Sequence, residues 1–358
     1  MESALITAPP ARASLSANAD LPLAVGPAIR MGLFNIAPSV RPIVFPAAAG
    51  TRLRLHLPHA MIENPVITLL CPPGETLLDE ALLARAGATL GGAETVWLEE
   101  GSAADLFPAG PVEAAAALTA VRGILGDLPV DAAVQNRQTR RKKVLIADMD
   151  STMIDQECID ELAAEVGLKD KVAAITAKAM NGEIEFEPAL RERVALLAGL
   201  PETIADEIIE RRITLASGGK TLIDTMKAHG GYCVLVSGGF TLFTRRIAAT
   251  LGFDEHHANR LETRDGKLAG RVIEPILGKQ AKIDTLEQVA AERSLFAADF
   301  IAVGDGANDL GMLAVAGTGV ALHAKPAVAE QAKVRIDHGD LTALLYLQGY
   351  RHEEFVSS

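Results

Sequence analysis

Two aspartates separated by one residue follow the apolar run VLIA: Asp148-Met149-Asp150-Ser151-Thr152. Side chains two apart on an extended strand point the same way, so both carboxylates face one side at the strand's carboxyl end. Ligands of open α/β sheets bind at that end. Carboxylates this close repel, and the pair needs either a proton or a cation. Taken alone, Asp-x-Asp also occurs in glycosyltransferases and in ordinary loops. A second acidic cluster, Gly304-Asp305-Gly306-Ala307-Asn308-Asp309, follows the apolar run FIAV. Alone, it also fits a strand-to-helix turn with Asn308 or Asp309 capping the next helix. Together, the four carboxylates can converge on one point. Hard oxygen donors with no Cys/His cluster beside them favour Mg²⁺ over structural Zn²⁺.

Two further features suit an anion. Ser237-Gly238-Gly239 closes the apolar run YCVLV, where a hydroxyl and backbone N–H groups at a helix start make either an anion site or a plain turn. Lys282, in GKQAKIDTL, is a cationic partner for the same anion. Lys279 lies close by, and the sequence does not choose between them.

The elements that must position these residues are legible around them. Apolar runs at 144–147, 233–239, 300–306 and 319–322 alternate with the helical patterns TLIDTMKAH, KIDTLEQVAAER and DLGMLAVA. Continuous apolar strands alternating with helices predict a parallel sheet covered on both faces. Residues 158–215 break the rhythm; they are charged and helical in pattern, and predict an inserted helical cap at about 158–220. The catalytic unit is expected over 143–345. Upstream, PVITLLC, Leu77–Leu90, ETVWLEE and PVEAAAALTAVRGIL read as strand, helix, strand, helix. That predicts a small α/β accessory domain over 61–135, for which a regulatory role fits better than catalysis. The basic stretch 131–143, DAAVQNRQTRRKK, reads as a solvated linker. The first 60 residues hold five Arg, two acidic residues and eight of the 18 Pro, and are expected to be disordered or loosely packed. Met61 is a candidate for the real start.

The chain has 358 residues, enough for two domains, with 49% hydrophobic residues and a net charge of −12. The acidic balance excludes a nucleic-acid binder and a polybasic membrane anchor. No run approaches the roughly 20 apolar residues of a membrane span, and the start carries no secretory signal pattern. Cys71, Cys158 and Cys233 are far apart and odd in number, so no disulfide framework follows and a reducing, cytoplasmic compartment is expected. Cys233, within an apolar run, reads as a buried thiol.

The order of the pieces is an aspartate pair, Ser-Gly, Lys, then Gly-Asp-Gly-x-Asn-Asp, each beside a buried strand. In that order the stretch from 144 to about 340 resembles the haloacid-dehalogenase-like phosphohydrolases. The resemblance implies a Rossmann-like parallel sheet with helices on both faces and a helical cap. It implies Asp148 as the nucleophile that forms an aspartyl-phosphate and Asp150 as general acid and base. It further implies Mg²⁺ held by Asp148, the backbone carbonyl of Asp150 and Asp305, with Asp309 in support. Ser237, the Gly238 N–H, Lys282 and Asn308 are then expected around the phosphoryl group.

DMDSTMIDQECIDELA, with Phe186, Arg193, SGGF and GDGANDLGML, resembles the branch of that family acting on phosphoserine. This implies that Glu157 binds the substrate ammonium and Arg193 its carboxylate, beneath an apolar shield of Met180 and Phe186. The expected activity is hydrolysis of O-phospho-L-serine to serine and phosphate, the last step of serine biosynthesis. A phosphotransferase to homoserine or another small alcohol, and a phosphorylation-state sensor with slow turnover, are the competing readings. The expected partner is a small molecule, with no nucleic acid and no membrane; no oligomeric state follows.

Overall fold

The computed structural model describes residues 61–180 and 183–356, and the leader expected over 1–60 lies outside the described residues. The first sheet is built from β1 (Pro65–Leu70), α1 (Glu80–Thr89), β2 (Ala93–Glu99), β3 (Ala103–Pro108), α2 (Ala114–Leu125) and β4 (Asp131–Asn136). Its strands run in the order β2-β3-β1-β4 with every neighbour antiparallel, a ferredoxin-like βαββαβ arrangement. The expected strands and helices are present. β3, whose sequence AADLFP opens on two alanines and an aspartate, was not expected.

The basic stretch 131–143 departs from expectation, because it is no solvated linker. Its first six residues pair along the whole of β1, from Pro65↔Asn136 to Leu70↔Asp131. Arg140 Nη2 meets Asp105 Oδ2 at 2.7 Å. Lys142 is buried, and its Nζ donates to the Ala298 carbonyl at 2.8 Å. The Asp131 carboxylate accepts the backbone N–H groups of Asp337, His338 and Gly339. These partners are distant in sequence, and each offsets the cost of burying a charge.

The larger sheet has seven strands: β5 (Val144–Ala147), β6 (Tyr232–Phe240), β7 (Glu255–Arg264), β8 (Lys267–Ile273), β9 (Phe300–Gly304), β10 (Thr318–Leu322) and β11 (Val334–Ile336). Their spatial order is β8-β7-β6-β5-β9-β10-β11; only β7 and β8 pair antiparallel. Alternation along β5 divides its side chains between two cores: Leu145 and Ala147 on one face, Val144 and Ile146 on the other. Helices α7 (Gly219–Ala228), α8 (Thr241–Leu251) and α12 (Ala343–Leu347) cover the first face. Helices α9 (Lys279–Glu292) and α10 (Leu310–Val315) cover the second; the short α11 (Pro326–Ala329) precedes β11. Burial on both faces explains why the central strands read as unbroken apolar runs.

The chain leaves β5 to one side, toward β6, and later returns to its other side at β9. Such a switch point opens a crevice at the carboxyl end of the central strand. Ahead of α7, four helices of the connection from β5 to β6 form the cap: α3 (Cys158–Ala164), α4 (Lys169–Met180), α5 (Phe186–Ala195) and α6 (Ile204–Arg212). The β7–β8 hairpin props this cap, since Leu268 donates its N–H to Leu200 O and accepts from Gly199 N. Gly270 allows the contact: a Cβ there would lie 2.9 Å from Ala198 Cβ. The hairpin was not expected, because EHHANRLETR is polar. Its turn was legible all the same: Asp265-Gly266, both at positive φ, is a hairpin dipeptide. No helix among the described residues is long and apolar enough to cross a membrane.

Candidate active site

Strand register brings the sequence-derived residues together. Ala147 sits opposite Leu235 of β6 and Val303 of β9. Asp148 and Asp305, each just past its strand, and Ser237, within β6, therefore lie at nearly the same height. The Asp148 N–H donates to Val303 O at 3.0 Å, which continues the sheet into the loop. One carboxylate oxygen of Asp148, Oδ1, accepts the Met149 N–H at 2.8 Å and lies 2.7 Å from Lys282 Nζ. Lys282 also reaches Asp309 Oδ1 at 2.5 Å, so this ammonium, and not that of the exposed Lys279, bridges the acids. The second oxygen of Asp309 accepts the Gly306 N–H at 3.0 Å. Asp309 tucks so closely against β9 that a Cβ on Gly304 would lie 2.4 Å from its Cγ.

Asp150 faces elsewhere. Its Oδ1 accepts the Cys158 N–H at 2.8 Å, and its Oδ2 accepts the Ser237 hydroxyl at 3.1 Å. The chain turns sharply after it, with Ser151 at φ 54°. The carboxylate oxygens of Asp148, Asp305 and Asp309 lie within 4.8 Å of one another, all three residues being buried. This cluster suits a hard divalent cation. The Asp150 carboxylate is not part of it.

Sequence reasoning missed several contributors. Lys325 Nζ pairs with Asp305 Oδ2 at 2.7 Å. It follows β10, and the carboxyl end of another parallel strand was the signal available. Asn259, fully buried on β7, donates to Gly238 O and Leu277 O and accepts from Leu277 N. It ties the Ser-Gly-Gly loop to the loop before α9, and nothing local marks it.

A cavity of about 770 Å³ opens above these acids. Its lining includes Asp148, Asp150, Glu157, Phe186, Arg193, Gly238 and Asn308. Ser237, Lys282, Asp305 and Asp309 are buried outside that lining. The Asn308 amide oxygen is buried without a hydrogen-bond partner. Phe186, at the start of α5, closes down on the sheet side: a Cβ on Gly238 would stand 3.1 Å from its ring. Met180 ends α4, and its side chain lies outside the described residues.

The cap supplies Glu157 and Arg193. Glu157 Oε1 accepts the Ser151 hydroxyl at 2.8 Å. Arg193 is 4% exposed and forms no ion pair among the described residues. It donates from Nε to Ala189 O at 3.0 Å and from Nη1 to the Thr176 hydroxyl at 2.9 Å.

Burial pushes the acids up. Desolvation, reinforced by Asp309, holds Asp148 well above the usual carboxylate range. Desolvation raises Asp150 as well, against the bonds from Cys158 and Ser237. Glu157 is pushed up to about 8, by burial and then by Asp150; Asp305 reaches about 6 by burial despite Lys325. Burial works against the Lys282 ammonium, but Asp148 and Asp309 outweigh it and hold the pKa above its ordinary value. The site can therefore offer one carboxylate as a nucleophile, held by Lys282, and a second in a setting that favours its protonated, donating form.

Comparison with known proteins agrees with this geometry. The model of the haloacid dehalogenase-like hydrolases matches residues 145–314. Over 204 residues the chain is 46% identical to the phosphoserine phosphatase of Lactococcus lactis subsp. lactis, covering 57% of this chain and 94% of that one. It is 43% identical over 228 residues to the phosphoserine phosphatase of Streptomyces coelicolor, covering 64% of this chain and only 55% of that longer one. The fold is similar to that of a haloacid dehalogenase family hydrolase from Salmonella enterica, with a TM-score of 0.68, 29% identity and coverage of 79% and 98%. With the strand-end aspartates, the lysine bridge and the acidic cluster in place, and with a 46% identical relative spanned over 94% of its length, the chain belongs to the haloacid dehalogenase-like hydrolases.

Proposed function

We infer that the chain is a phosphoric monoester hydrolase that converts O-phospho-L-serine to L-serine and phosphate, the last step of serine biosynthesis. One observation carries the substrate reading. Glu157 and a buried Arg193, which forms no ion pair among the described residues, line the same cavity, over a floor equipped for phosphoryl transfer. A zwitterionic amino acid needs one partner of each sign, and Arg grips a carboxylate with two parallel hydrogen bonds. The relatives named phosphoserine phosphatase point the same way.

The residues divide the work. The Asp148 carboxylate attacks phosphorus, forming an acyl phosphate as the P–O bond to serine breaks. Asp150 gives its proton to the departing serine oxygen. The same carboxylate then takes a proton from water as the water attacks phosphorus, and Asp148 is restored. Ser237, the Gly238 N–H, Lys282 and Asn308 orient the phosphoryl oxygens. Asp148, Asp305 and Asp309 would hold Mg²⁺, with the backbone carbonyl of Asp150 as a further donor, and the ion would neutralise charge on the phosphoryl oxygens. Phe186, which lines the cavity, shields the site from water. The three cysteines are free and buried, in keeping with a reducing cytoplasm.

Phosphate release with Mg²⁺ across O-phospho-L-serine, sugar phosphates and p-nitrophenyl phosphate tests the assignment. Phosphoserine should give the highest kcat/KM by at least tenfold, the worth of about 1.4 kcal/mol. A sugar phosphate turned over as well as phosphoserine would overturn the substrate reading.

A further inference from the structure

Arg193 poses an energetic problem. A buried guanidinium without a counter-ion pays a large desolvation cost unless hydrogen bonds compensate. Its own helix offers the Ala189 carbonyl, and further compensation comes from two other cap helices. Thr176 on α4 accepts from Arg193 Nη1 at 2.9 Å, and its hydroxyl lies 2.8 Å from Asp160 Oδ1 on α3. The same hydroxyl is 3.0 Å from Val172 O, its own helix's carbonyl. Thr176 is buried, and the three groups form a line: carboxylate, hydroxyl, guanidinium. Asp160 thus reaches Arg193 through a hydroxyl and not through a direct ion pair.

That spacing has a consequence for ligand binding. A guanidinium has five N–H donors. Ala189 O takes the one on Nε and Thr176 takes one on Nη1, so among the described residues both donors on Nη2 and the second on Nη1 have no partner. A carboxylate gripped by two parallel bonds needs two of them. Direct pairing with Asp160 would consume that fork and cancel the charge.

We propose that Asp160 and Thr176 are positioning residues that hold Arg193 in one orientation with its charge unspent, aimed for the carboxylate of the phosphorylated amino acid. The proposal rests on the substrate reading above. It makes α3, α4 and α5 jointly responsible for selecting the amino-acid end of the substrate.

The test is steady-state kinetics of the full chain with Mg²⁺ on O-phospho-L-serine and on p-nitrophenyl phosphate, which lacks both amino-acid charges. Thr176→Val removes the hydroxyl and keeps the shape. It should raise KM for phosphoserine about tenfold, the size of one charged hydrogen bond, while kcat falls by less than about threefold. The rise should exceed that for the aryl phosphate at least fivefold. Thr176→Ser should restore KM to within about threefold of the parent, and Asp160→Asn should raise it about threefold. In an Arg193→Ala background, Thr176→Val should add nothing to the phosphoserine KM, because the two changes remove one interaction. Parallel losses on both substrates, an unchanged phosphoserine KM in Thr176→Val, or additive effects in the double variant would each overturn the relay. Failure of the substrate reading looks different: the parent chain itself shows no preference for phosphoserine, or Arg193→Ala leaves its KM untouched.

Discussion

On the sheet side of the cavity, Lys282 joins Asp148 to Asp309 and Lys325 joins Asp305. On the cap side, Glu157 is held by a hydroxyl, and Arg193 by a hydroxyl and a carbonyl. The two walls hold similar chemical groups and treat them oppositely. The sheet wall pairs its charges internally and fixes them to strand ends, a setting suited to a phosphoryl group whatever alcohol it is attached to. Among the described residues the cap wall leaves Glu157 and Arg193 without a direct ion pair, so that a ligand's ammonium and carboxylate can complete them. The proposed function then divides the labour: the sheet would set what reaction occurs, and the cap on which molecule.

The sharpest break in that division would come from Asp148→Asn. Loss of the nucleophile should cut kcat about 10⁴-fold or more, equally for phosphoserine and p-nitrophenyl phosphate, as single-turnover phosphate release would measure. Next is Asp150→Asn, expected to cost about 10²–10³-fold with phosphoserine, the range for a positioned acid and base. Its effect on the acyl-phosphate-forming step should be smaller for p-nitrophenyl phosphate, whose phenolate leaves without a proton; equal effects would reject the acid role. On the cap wall, Arg193→Ala should lower kcat/KM for phosphoserine by about 10–100-fold, the worth of a charged pair of hydrogen bonds, and that for the aryl phosphate by less than about threefold. A common fall would erase the distinction between the walls.

The smallest effect concerns the acids themselves. Burial raises Asp148, Asp150 and Glu157, so between the ordinary carboxylate range and the raised values the folded chain binds more protons than the unfolded one. The sign is then fixed: without a divalent cation, stability falls as pH rises from about 5 to 8. A cation at about 100 times its Kd should return about 2.7 kcal/mol. Melting temperatures at pH 5.5 and 7.5, with EDTA and with Mg²⁺, provide the check. A Tm in EDTA that climbs with pH would contradict it.

The two walls also differed in how well the sequence revealed them. Asp148, Asp150, Asp305 and Asp309 were legible because each abuts a continuous apolar strand, and a parallel sheet has only one crevice for them to meet in. Glu157 and Arg193 were legible only through family resemblance, since a charged residue in RERVALL carries no local mark of being buried. Asp160 and Thr176 gave no signal at all. Their meaning lies in the packing of three helices, which spacing along one helix cannot encode. The stretch 131–143 was misread for the same reason: the run of basic residues is local, whereas Asp105, Ala298 and the 337–339 loop are distant in sequence. The β7–β8 hairpin was missed because its polar strands hid an informative Asp265-Gly266 turn.

One carboxylate on the smaller sheet bears on how the whole folded part comes apart. Asp131 takes three consecutive amides from the loop after β11. Peeling the smaller sheet away first would break three hydrogen bonds to a charged carboxylate, each worth about 1.5–3 kcal/mol net even though water then solvates the separated groups. Independent fraying of either sheet is therefore penalised, and the described chain has reason to melt as one cooperative unit. The smaller sheet, which carries no legible chemistry, still shares in the thermodynamic fate of the catalytic one.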